Sequence, residues 1–468
     1  SAAMDFPDPT ALFAAQEPRR WTLGEEGPAA RQARLLRLKT LLEQRREAFL
    51  EALGSDLGKP AEEAHLTEFH TVMEELNHAL RHLPRWMRPR RAATPLSMAG
   101  TRSFVLPEPK GRVLILAPWN YPCYLLLAPL VAAIAAGNAV ILKPSEKAPA
   151  SEAFLAALVR DAFAPEEVAL VTGGPEVAAA LLELPFDHIF FTGSTRVGKL
   201  VMAAAAKHLA SVTLELGGKS PALLTAKADL RGAARRLAWA KFVNAGQTCV
   251  APDYVLVPAS QVEPFLAALT AEIRALFGDR PLEGRSYARI IDAAAYARQK
   301  ALLAGTRGRL VIGGGLDEAS RGLEPTVLRD VPADDALLQE EIFGPILPVV
   351  AYADREAALT FLRERGDPLA SYLFTADRME AADWIRATRA GGTVVNHAVI
   401  HLGNPNLPFG GRGASGLGAY HGVHGFDTFS HLRAIVELRW LDTLAFYFPP
   451  YTGRLKAMAF RLLRGLER

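Results

Sequence analysis

Residues 113–142 read VLILAPWNYPCYLLLAPLVAAIAAGNAVIL, and no side chain among them is charged. An apolar run of this length resembles a membrane-spanning helix. Its three prolines and the Gly137-Asn138 pair, however, divide it into segments that are each too short to cross a bilayer. The segments predict a buried strand over 112–117, a helix over 123–136 and a second buried strand over 139–142. A transmembrane interpretation is therefore disfavoured.

The same alternation of strands and helices continues on the C-terminal side of this stretch. Further segments are predicted as helices over 150–163, 176–183 and 195–208, and as strands over 168–172, 187–192 and 212–216. On the N-terminal side, amphipathic helices are predicted over 28–54 and 62–83. Such alternation forms a mostly parallel sheet with helices on both faces, and ligands bind beyond the carboxyl ends of its strands. After Gly217 the pattern starts again with a helix over 230–244 and a strand over 254–258, which predicts a second α/β domain.

The composition indicates a large protein of the cytoplasm. The chain has 468 residues, of which 50% are hydrophobic and 22% are charged, enough for two or more domains. Lys and Arg total 53 against 50 Asp and Glu, and so even a balance gives no sign of nucleic-acid binding. The two cysteines cannot build a disulfide framework, which favours a reducing compartment. The first residues contain no basic segment followed by an apolar one, so we expect no secretory signal peptide.

A glycine-containing turn follows the strand over 187–192. Residues 193–199 read GSTRVGK and open a helix, so their backbone N–H groups and the helix dipole favour a pyrophosphate. The spacing resembles a P-loop, but that motif needs Ser or Thr after the lysine to bind magnesium, and this chain has Leu200. An ATPase is therefore disfavoured, and an ordinary strand–helix turn is the alternative to a cofactor site.

Three side chains near the ends of predicted elements carry reactive chemistry. Cys249 follows a helix in the segment NAGQTC, whose glycine frees the backbone so that a thiol can reach a substrate. Glu215 lies at the carboxyl end of an apolar strand, where burial raises a carboxyl pKa towards that of a general base. An ion pair with Lys219 is the alternative for Glu215. The Asn120 amide is suited to an oxyanion, although capping the next helix is the ordinary role.

Other candidate residues indicate no site. Cys123 begins an apolar helix, as an inert core cysteine does. His397 and His401 are four residues apart, but no acidic residue completes a zinc motif. We therefore expect no metal.

Seven segments occur in the same order as in the aldehyde dehydrogenase superfamily, and the chain resembles that superfamily over most of its length. They are 118–122 (PWNYP), 143–146 (KPSE), 191–195 (FTGST), 215–221 (ELGGKSP), 246–249 (GQTC), 341–345 (EIFGP) and 407–411 (LPFGG). Segments 250–254 (VAPDY) and 428–431 (TFSH) resemble the class 3 branch, which includes the fatty aldehyde dehydrogenases.

The resemblance implies a role for each of the three reactive side chains. Cys249 would attack the aldehyde carbon, while the Asn120 amide and the Cys249 backbone N–H hold the oxyanion. Hydride transfer to NAD, or to NADP, would then leave a thioester, which Glu215 hydrolyses by activating water. The implied reaction oxidises medium- or long-chain aliphatic, or aromatic, aldehydes to carboxylic acids.

The resemblance also implies which residues bind the cofactor. Lys143 and Glu146 would hold the adenosine ribose, and Glu146 should disfavour the 2′-phosphate of NADP. Gly193 and Ser194 would hold the pyrophosphate. The other implied cofactor-binding residues are Trp119, Gly198, Leu216, Glu341 and Phe343.

The implied fold is α/β, with a Rossmann-type cofactor-binding domain, a second α/β catalytic domain and a small oligomerisation element. These would be residues 1–84 with 108–216, residues 217–418, and residues 85–107 with 419–440, followed by a tail over 441–468. A homodimer is expected by resemblance only.

The tail ends in a basic amphipathic helix. Leu455, Met458, Leu462 and Leu466 fall on one helix face, and arginines lie elsewhere on it. Peripheral contact with a membrane is one interpretation, and packing on the same chain or on a dimer mate is the other. The helix is too short to span a bilayer.

Two other functions are the alternatives to aldehyde oxidation by hydrolysis. A CoA-acylating aldehyde dehydrogenase would pass the acyl group to CoA, but such enzymes often lack the base that Glu215 supplies. A catalytically silent binding protein on the same fold would not need Cys249, Glu215 and Asn120 together. We therefore expect an oxidoreductase that hydrolyses its thioester.

Overall fold

The computed structural model describes residues 8–467. Residues 1–7, where the first predicted domain begins and where we expect no signal peptide, lie outside the described residues, as does Arg468. The helices are α1 (Pro9–Glu25), α2 (Pro28–Gln44), α3 (Arg46–Leu57), α4 (Ala61–Ala64), α5 (His70–Trp86), α6 (Tyr124–Ala136), α7 (Pro149–Ala162), α8 (Pro175–Leu182), α9 (Thr195–Ala206), α10 (Leu230–Phe242), α11 (Val262–Phe277), α12 (Ala293–Gly305), α13 (Ala336–Gln339), α14 (Arg355–Arg363), α15 (Arg378–Ala387), α16 (Gly422–Thr428) and α17 (Arg454–Leu466).

The strands form two large sheets and two smaller ones. They are β1 (Arg90–Ala92), β2 (Thr101–Pro109), β3 (Arg112–Leu116), β4 (Ala139–Lys143), β5 (Val168–Leu170), β6 (His188–Thr192), β7 (Ser211–Glu215), β8 (Pro221–Leu224), β9 (Tyr254–Pro258), β10 (Arg309–Ile312), β11 (Leu316–Asp317), β12 (Gly322–Leu323), β13 (Thr326–Arg329), β14 (Ile346–Tyr352), β15 (Ala370–Phe374), β16 (Gly392–Val395), β17 (Gly416–Leu417) and β18 (Ser430–Leu438).

The strand–helix–strand unit predicted in the apolar stretch is present as β3, α6 and β4. The two strands pair in parallel, with Leu114 opposite Ile141, and every residue of α6 is buried. The sheet has six strands in the order β17-β7-β6-β3-β4-β5, all parallel except β17. The chain runs outward from β3 through β4 and β5, then crosses to β6 and β7 on the other side. Such a reversal leaves a crevice beyond the carboxyl ends of β3 and β6.

The second large sheet follows after Gly217 and Gly218. Its seven strands have the order β10-β13-β14-β9-β8-β15-β16, and only β10 is antiparallel. β17 lies in the range predicted for the second domain, yet it pairs with β7 of the first sheet, with Gly416 opposite Glu215. The chain thus returns to the first sheet at the strand end that carries Glu215.

A small antiparallel sheet lies outside the two large ones, in the order β1-β2-β18. β2 and β18 pair over their whole length, from Thr101 opposite Leu438 to Pro109 opposite Ser430. These strands fall largely in the segments predicted to form the oligomerisation element. β1 and β18 are the two edge strands of this sheet within the described residues.

Two predicted helices in the N-terminal region are interrupted. The helix predicted over 28–54 is divided into α2 and α3 by Arg45, whose φ of −109° and ψ of 20° are not helical. The helix predicted over 62–83 contains a π-helical turn at His65–Phe69, a feature common at functional sites. The helix also continues beyond Pro84 to Trp86. Only two residues follow this proline, and the second of them, Trp86, is buried in the core.

Candidate active site

The nucleophile loop, residues 244–249, is shaped by consecutive left-handed residues. Its first three residues have φ angles of 53°, 51° and 76°, which ends α10 at Phe242, two residues before the predicted end. Only glycine fits the third of these positions, because a Cβ on Gly246 would lie 2.2 Å from the carbonyl oxygen of Gly344. The turn brings Cys249 out of the core to a half-buried position.

Two amide side chains that the sequence analysis did not single out hold this loop. Gln247 Nε2 donates to the carbonyl oxygens of Asn244 and Arg289, both at 2.9 Å, and its Oε1 accepts from the Ile291 N–H at 3.0 Å. Asn244 Nδ2 donates to the Asn120 carbonyl at 2.8 Å and to the Gln247 carbonyl at 3.0 Å. The sequence did contain a signal for both residues, because they are the polar amides inside the NAGQTC segment.

Cys249 lies where two cavities meet. One cavity, of about 250 Å³, lies between the two large sheets. Besides Cys249, it is lined by Pro118, Trp119, Asn120, Thr192, Gly193, Ser194, Glu215, Leu216, Gly217, Arg298, Glu341 and Phe343. The other cavity, of about 270 Å³, also includes Cys249 and is mostly apolar. Its apolar lining includes Tyr121, Tyr124, Leu125, Trp239, Val250, Val399, Ile400, Leu402, Phe409 and Tyr420. The thiol is therefore accessible from both sides.

Glu215 is a buried carboxylate without a structural partner. It ends β7, only 3% of its surface is exposed, and within the described residues neither oxygen has a hydrogen-bond partner. Burial raises its pKa well above the ordinary value. The predicted alternative, an ion pair with Lys219, is wrong, because Lys219 Nζ lies 2.5 Å from Asp253 Oδ2. The Glu215 carboxyl lies in the same cavity as Cys249, and this position suits a general base.

Asn120 does not cap the helix that follows it. Its Nδ2 donates to the Gln247 carbonyl at 3.2 Å, so the side chain points to the nucleophile loop. The first N–H groups of α6 are instead satisfied by Glu68, whose Oε1 accepts from Cys123 N–H at 3.1 Å and from Tyr124 N–H at 3.0 Å. The Asn120 amide thus lies beside the thiol, where an oxyanion donor is needed.

The surroundings of Cys249 favour the protonated thiol. Burial, together with the carboxyls of Glu341 and Glu215, raises the pKa of Cys249 to about 12, although hydrogen bonds from its own backbone and from Asn120 act in the opposite direction. A nucleophilic thiolate therefore needs a positive charge nearby or a base. Cys123 is fully buried in the core with a raised pKa, as expected for an inert cysteine.

Six of the nine predicted cofactor-binding residues line the cavity between the sheets. They are Trp119, Gly193, Ser194, Leu216, Glu341 and Phe343. Ser194 caps α9, accepting from the Val197 N–H at 3.3 Å, so the positive end of that helix meets the cavity. Trp119 and Phe343 meet edge to face with ring centroids 5.5 Å apart. This donor set suits the phosphate and the flat nicotinamide ring of a nicotinamide dinucleotide.

The other three predicted cofactor-binding residues lie outside that cavity. Lys143 ends β4, which is the neighbour of β3. Its Nζ lies 3.6 Å from Glu146 Oε2, so these two side chains form one group beyond the end of β4. Gly198 faces the protein instead, because a Cβ there would lie 2.6 Å from the Leu216 side chain. Its role is therefore close packing of α9 beside the cavity.

Arg298 belongs to the site, although its sequence context gave no signal. It lies in α12, and its guanidinium donates to the carbonyl oxygens of Glu341 and Ile342, both at 2.6 Å. These bonds hold the segment that carries Glu341 and Phe343 against the cavity. Burial raises the pKa of the Glu341 carboxyl to about 8, with the Asp253 carboxylate acting in the same direction.

Comparisons with known proteins agree with this geometry. A sequence model described as "Aldehyde dehydrogenase family" matches residues 10–435. The 4,4'-diaponeurosporen-aldehyde dehydrogenase of Staphylococcus aureus is 41% identical over 426 residues, which cover 91% of this chain and 93% of that protein. Aldehyde dehydrogenase family 3 member B1 of Homo sapiens is 44% identical over 434 residues, which cover 92% of each chain. A crystal structure of an indole-3-acetaldehyde dehydrogenase in complex with NAD+ matches with a TM-score of 0.84 at 30% identity, covering 92% of this chain and 89% of that one.

The predicted resemblance, its class 3 branch and the α/β fold are confirmed by these matches. The class of enzyme, an NAD(P)-dependent aldehyde dehydrogenase, is confirmed as well. From its matched length and the identity of its relatives, this chain belongs to the aldehyde dehydrogenase family.

Proposed function

We propose that this enzyme oxidises apolar aldehydes to carboxylic acids with Cys249 as nucleophile, Asn120 as oxyanion donor and Glu215 as general base. The observation that carries the proposal is the position of Cys249, between an apolar cavity and a cavity that also contains Glu215 and Asn120. An aldehyde whose hydrocarbon tail occupies the apolar cavity has its carbonyl carbon at the Cys249 sulfur, where the catalytic groups converge.

The reaction proceeds through a covalent thioester. The Cys249 thiolate attacks the aldehyde carbon, and the Asn120 amide and the Cys249 backbone N–H stabilise the resulting oxyanion. Bound NAD supplies the acceptor for the hydride that leaves this carbon. Glu215 then takes a proton from water, the hydroxide attacks the thioester carbonyl, and cleavage of the C–S bond releases the acid and restores the thiolate.

The proposed substrates are medium- or long-chain aliphatic aldehydes and aromatic aldehydes. The cavity beside Cys249 has a volume of about 270 Å³ and a mostly aliphatic and aromatic lining, which favours a hydrocarbon group over a polar one. The relative from S. aureus is named for a diaponeurosporen aldehyde. Its name supports an apolar aldehyde for this chain.

The proposed cofactor contacts extend from the cavity to β4. Gly193 and Ser194 hold the pyrophosphate at the start of α9, while Lys143 and Glu146 hold the adenosine ribose. The Glu146 carboxylate disfavours the 2′-phosphate of NADP by charge repulsion, so NAD is the preferred cofactor. Glu341 and Phe343 position the nicotinamide ribose and ring, with Trp119 and Leu216 alongside.

We further propose that α17 lies on a membrane surface. Leu455, Met458 and Leu462 on its apolar face are each more than half exposed, at 72%, 57% and 63%. Arg454, Arg461 and Arg464 supply positive charge for anionic lipids. Across residues 8–467, no helix combines the length and hydropathy that crossing a bilayer requires. Contact would therefore be peripheral.

The proposed oligomer is a homodimer that uses the edge of β18. This strand exposes Leu432, Val436 and Leu438 on one face, and its outer backbone edge is free of strand partners within the described sheet. An exposed edge with aliphatic side chains favours association with another chain. A second copy of this protein is the partner that we propose.

The proposed function is tested by following NADH and NADPH formation against a series of aldehydes from propanal to hexadecanal, with benzaldehyde as the aromatic member. We expect activity in the wild type, higher with NAD than with NADP, and none in Cys249→Ala. Parallel reactions with CoA distinguish the alternative, because a CoA-acylating enzyme would form acyl-CoA and stall without CoA. A folded protein that binds NAD but oxidises none of these aldehydes would contradict the proposal.

A further inference from the structure

Lys59 and Glu68 form an ion pair that is shielded from solvent beneath the segment carrying Asn120. Lys59 Nζ lies 2.7 Å from Glu68 Oε2, and both side chains are 0% exposed. Lys59 precedes α4, and Glu68 lies in the π-helical turn between α4 and α5, so neither belongs to a large sheet. Because desolvation of two charges can cost more free energy than their attraction recovers, the other hydrogen bonds of the pair matter.

Within the described residues, those other bonds all go to the segment 120–124. Lys59 Nζ donates to the Asn120 carbonyl at 3.1 Å and lies 3.9 Å from the centroid of the Tyr121 ring. Glu68 Oε1 accepts from the N–H groups of the last two residues of the segment, at 3.1 Å and 3.0 Å. The pair therefore holds both ends of the segment from which the Asn120 amide projects.

The nucleophile loop meets the pair at the same peptide. The Asn120 carbonyl accepts from Lys59 Nζ on one side and from Asn244 Nδ2, at 2.8 Å, on the other. The Asn244 N–H in turn donates to Glu63 Oε1 at 3.3 Å, from the same N-terminal helical region. The distance between the Asn120 amide and the Cys249 backbone N–H thus depends on a network anchored in that region.

We propose that Lys59 and Glu68 are positioning residues for the oxyanion hole. They act through Asn120, by fixing its carbonyl and the start of α6 so that its amide faces the aldehyde oxygen beside Cys249. The proposal rests on the proposed function, in which Asn120 donates to the oxyanion. A role in folding alone would leave the rate of the chemical step unchanged in protein that is still folded.

The test combines Lys59→Met with Asn120→Ala and measures single-turnover NADH formation from hexanal. Lys59→Met keeps the approximate length of the side chain but removes its charge and its hydrogen bonds. We expect it to lower the rate about 10- to 100-fold, since a displacement of about 1 Å can cost about 100-fold. The KM for NAD should change by less than about twofold, because the pair bonds to residues 120–124, none of which is a proposed cofactor-binding residue.

In the Asn120→Ala background, Lys59→Met should lower the rate by less than about threefold, because the group that it positions is already absent. An equal loss in both backgrounds, or a loss below about threefold with Asn120 present, would overturn the proposal. Glu68→Gln in both backgrounds gives a second, independent measurement if Lys59→Met does not fold. It is expected to show the same dependence on Asn120.

Arg34→Met is the matched control. Arg34 is also a buried cation, paired with Glu26 and with Glu167 at 3.1 Å, and neither partner belongs to the Asn120 segment or the nucleophile loop. We expect it to lower the melting temperature while leaving the single-turnover rate unchanged. The wild type separates the two hypotheses: if it oxidises no aldehyde, the proposed function fails, whereas an active wild type with an unaffected Lys59→Met excludes only the positioning role.

Discussion

Two titratable groups in the cavity between the sheets define the chemistry at the residue scale. Burial raises the pKa of the Glu215 carboxyl well above its ordinary value and that of the Cys249 thiol to about 12. The raised pKa values favour the protonated form of each group, and each group becomes reactive when it loses a proton. If NAD binds beside Cys249, its positive nicotinamide ring would favour the thiolate and would couple thiol activation to cofactor binding.

Alkylation of Cys249 by iodoacetamide should accelerate steadily with pH. Because the thiol pKa is about 12, the thiolate fraction, and with it the rate, should increase about tenfold per pH unit from about pH 7 to pH 10. Intact-mass spectrometry of timed samples measures the rate, and added NAD should increase it. Cys249→Ala is the control, since Cys123 is buried and should remain unmodified. A rate that reaches a plateau below about pH 9 would contradict the raised pKa.

Glu215→Gln should separate the two halves of the reaction. Glutamine cannot take a proton from water, so turnover should fall about 100- to 10,000-fold, while hydride transfer still produces one equivalent of NADH. The thioester should then accumulate on Cys249 and appear as an acyl adduct by intact mass. Loss of the first equivalent of NADH as well would show that Glu215 is needed before hydrolysis.

The same substitution should stabilise the fold at alkaline pH. Because the folded-state pKa of Glu215 is raised, the folded protein binds this proton more tightly than the unfolded chain does. The wild type therefore loses stability as pH rises from the unfolded pKa towards the folded one, and Gln removes this loss. The melting temperature of Glu215→Gln should exceed that of the wild type at about pH 8 and equal it at about pH 4. A lower value at pH 8 would contradict the assignment of burial as the cause.

At the scale of elements, strand ends and helix starts bring the site together. β3, β6 and β7 end next to one another in the first sheet, which places Asn120, Gly193 and Glu215 around one crevice. The start of α9 faces the same crevice, and the turn after α10 brings Cys249 to it from the part of the chain that precedes β9 of the second sheet. The C-terminal helix α17 stands apart from this arrangement and exposes its apolar face.

Substitution on α17 should weaken its binding to lipid vesicles. Leu455→Asp combined with Leu462→Asp removes two exposed apolar side chains and adds negative charge, each leucine contributing roughly 1.5–3 kcal/mol when buried. Binding to vesicles that contain an anionic lipid should fall more than about tenfold, as measured by co-sedimentation. Leu209→Asp combined with Met379→Asp adds the same charge at exposed positions elsewhere and should leave binding unchanged. Equal binding by all three proteins would exclude the membrane contact.

The whole molecule is built on two mostly parallel sheets with the cavity of about 250 Å³ between them, and a small antiparallel sheet lies outside both. Residues far apart in the chain meet in each part: β17 pairs with β7, and β2 pairs with β18. The outer edge of β18 has no strand partner within the described residues. The proposed association of two copies therefore depends on the whole fold and is best tested on the whole chain.

Val436→Lys should convert the proposed dimer into a monomer. Val436 is 55% exposed on the edge strand, between Leu432 and Leu438. A charge at the centre of this face opposes the association of two copies. Sedimentation equilibrium should give twice the chain mass for the wild type and the chain mass for the variant. Lys at Leu310, which is similarly exposed on β10, is the control and should not change the mass.

The sequence by itself determined the α/β class, most elements of the first sheet and the family, and it supplied the candidate reactive residues. Hydrophobic periodicity and turn residues are local, so the strand–helix–strand unit at residues 112–142 could be predicted from its own amino acids. The motifs containing Asn120, Glu215 and Cys249 were likewise contained in short segments. The helix starting at Pro9 and the division of residues 28–54 into two helices were not predicted.

Only the tertiary structure decided which partners these residues have. Lys59 and Asn120 are 61 positions apart, and Arg298 contacts residues more than 40 positions away. Such contacts leave no local pattern, because they depend on how helices and sheets pack. The structure also decided that Lys219 pairs with Asp253 instead of Glu215, which leaves a buried carboxylate beside the thiol without a partner among residues 8–467. It is the packing around Cys249, and no local sequence pattern, that places its sulfur between two cavities.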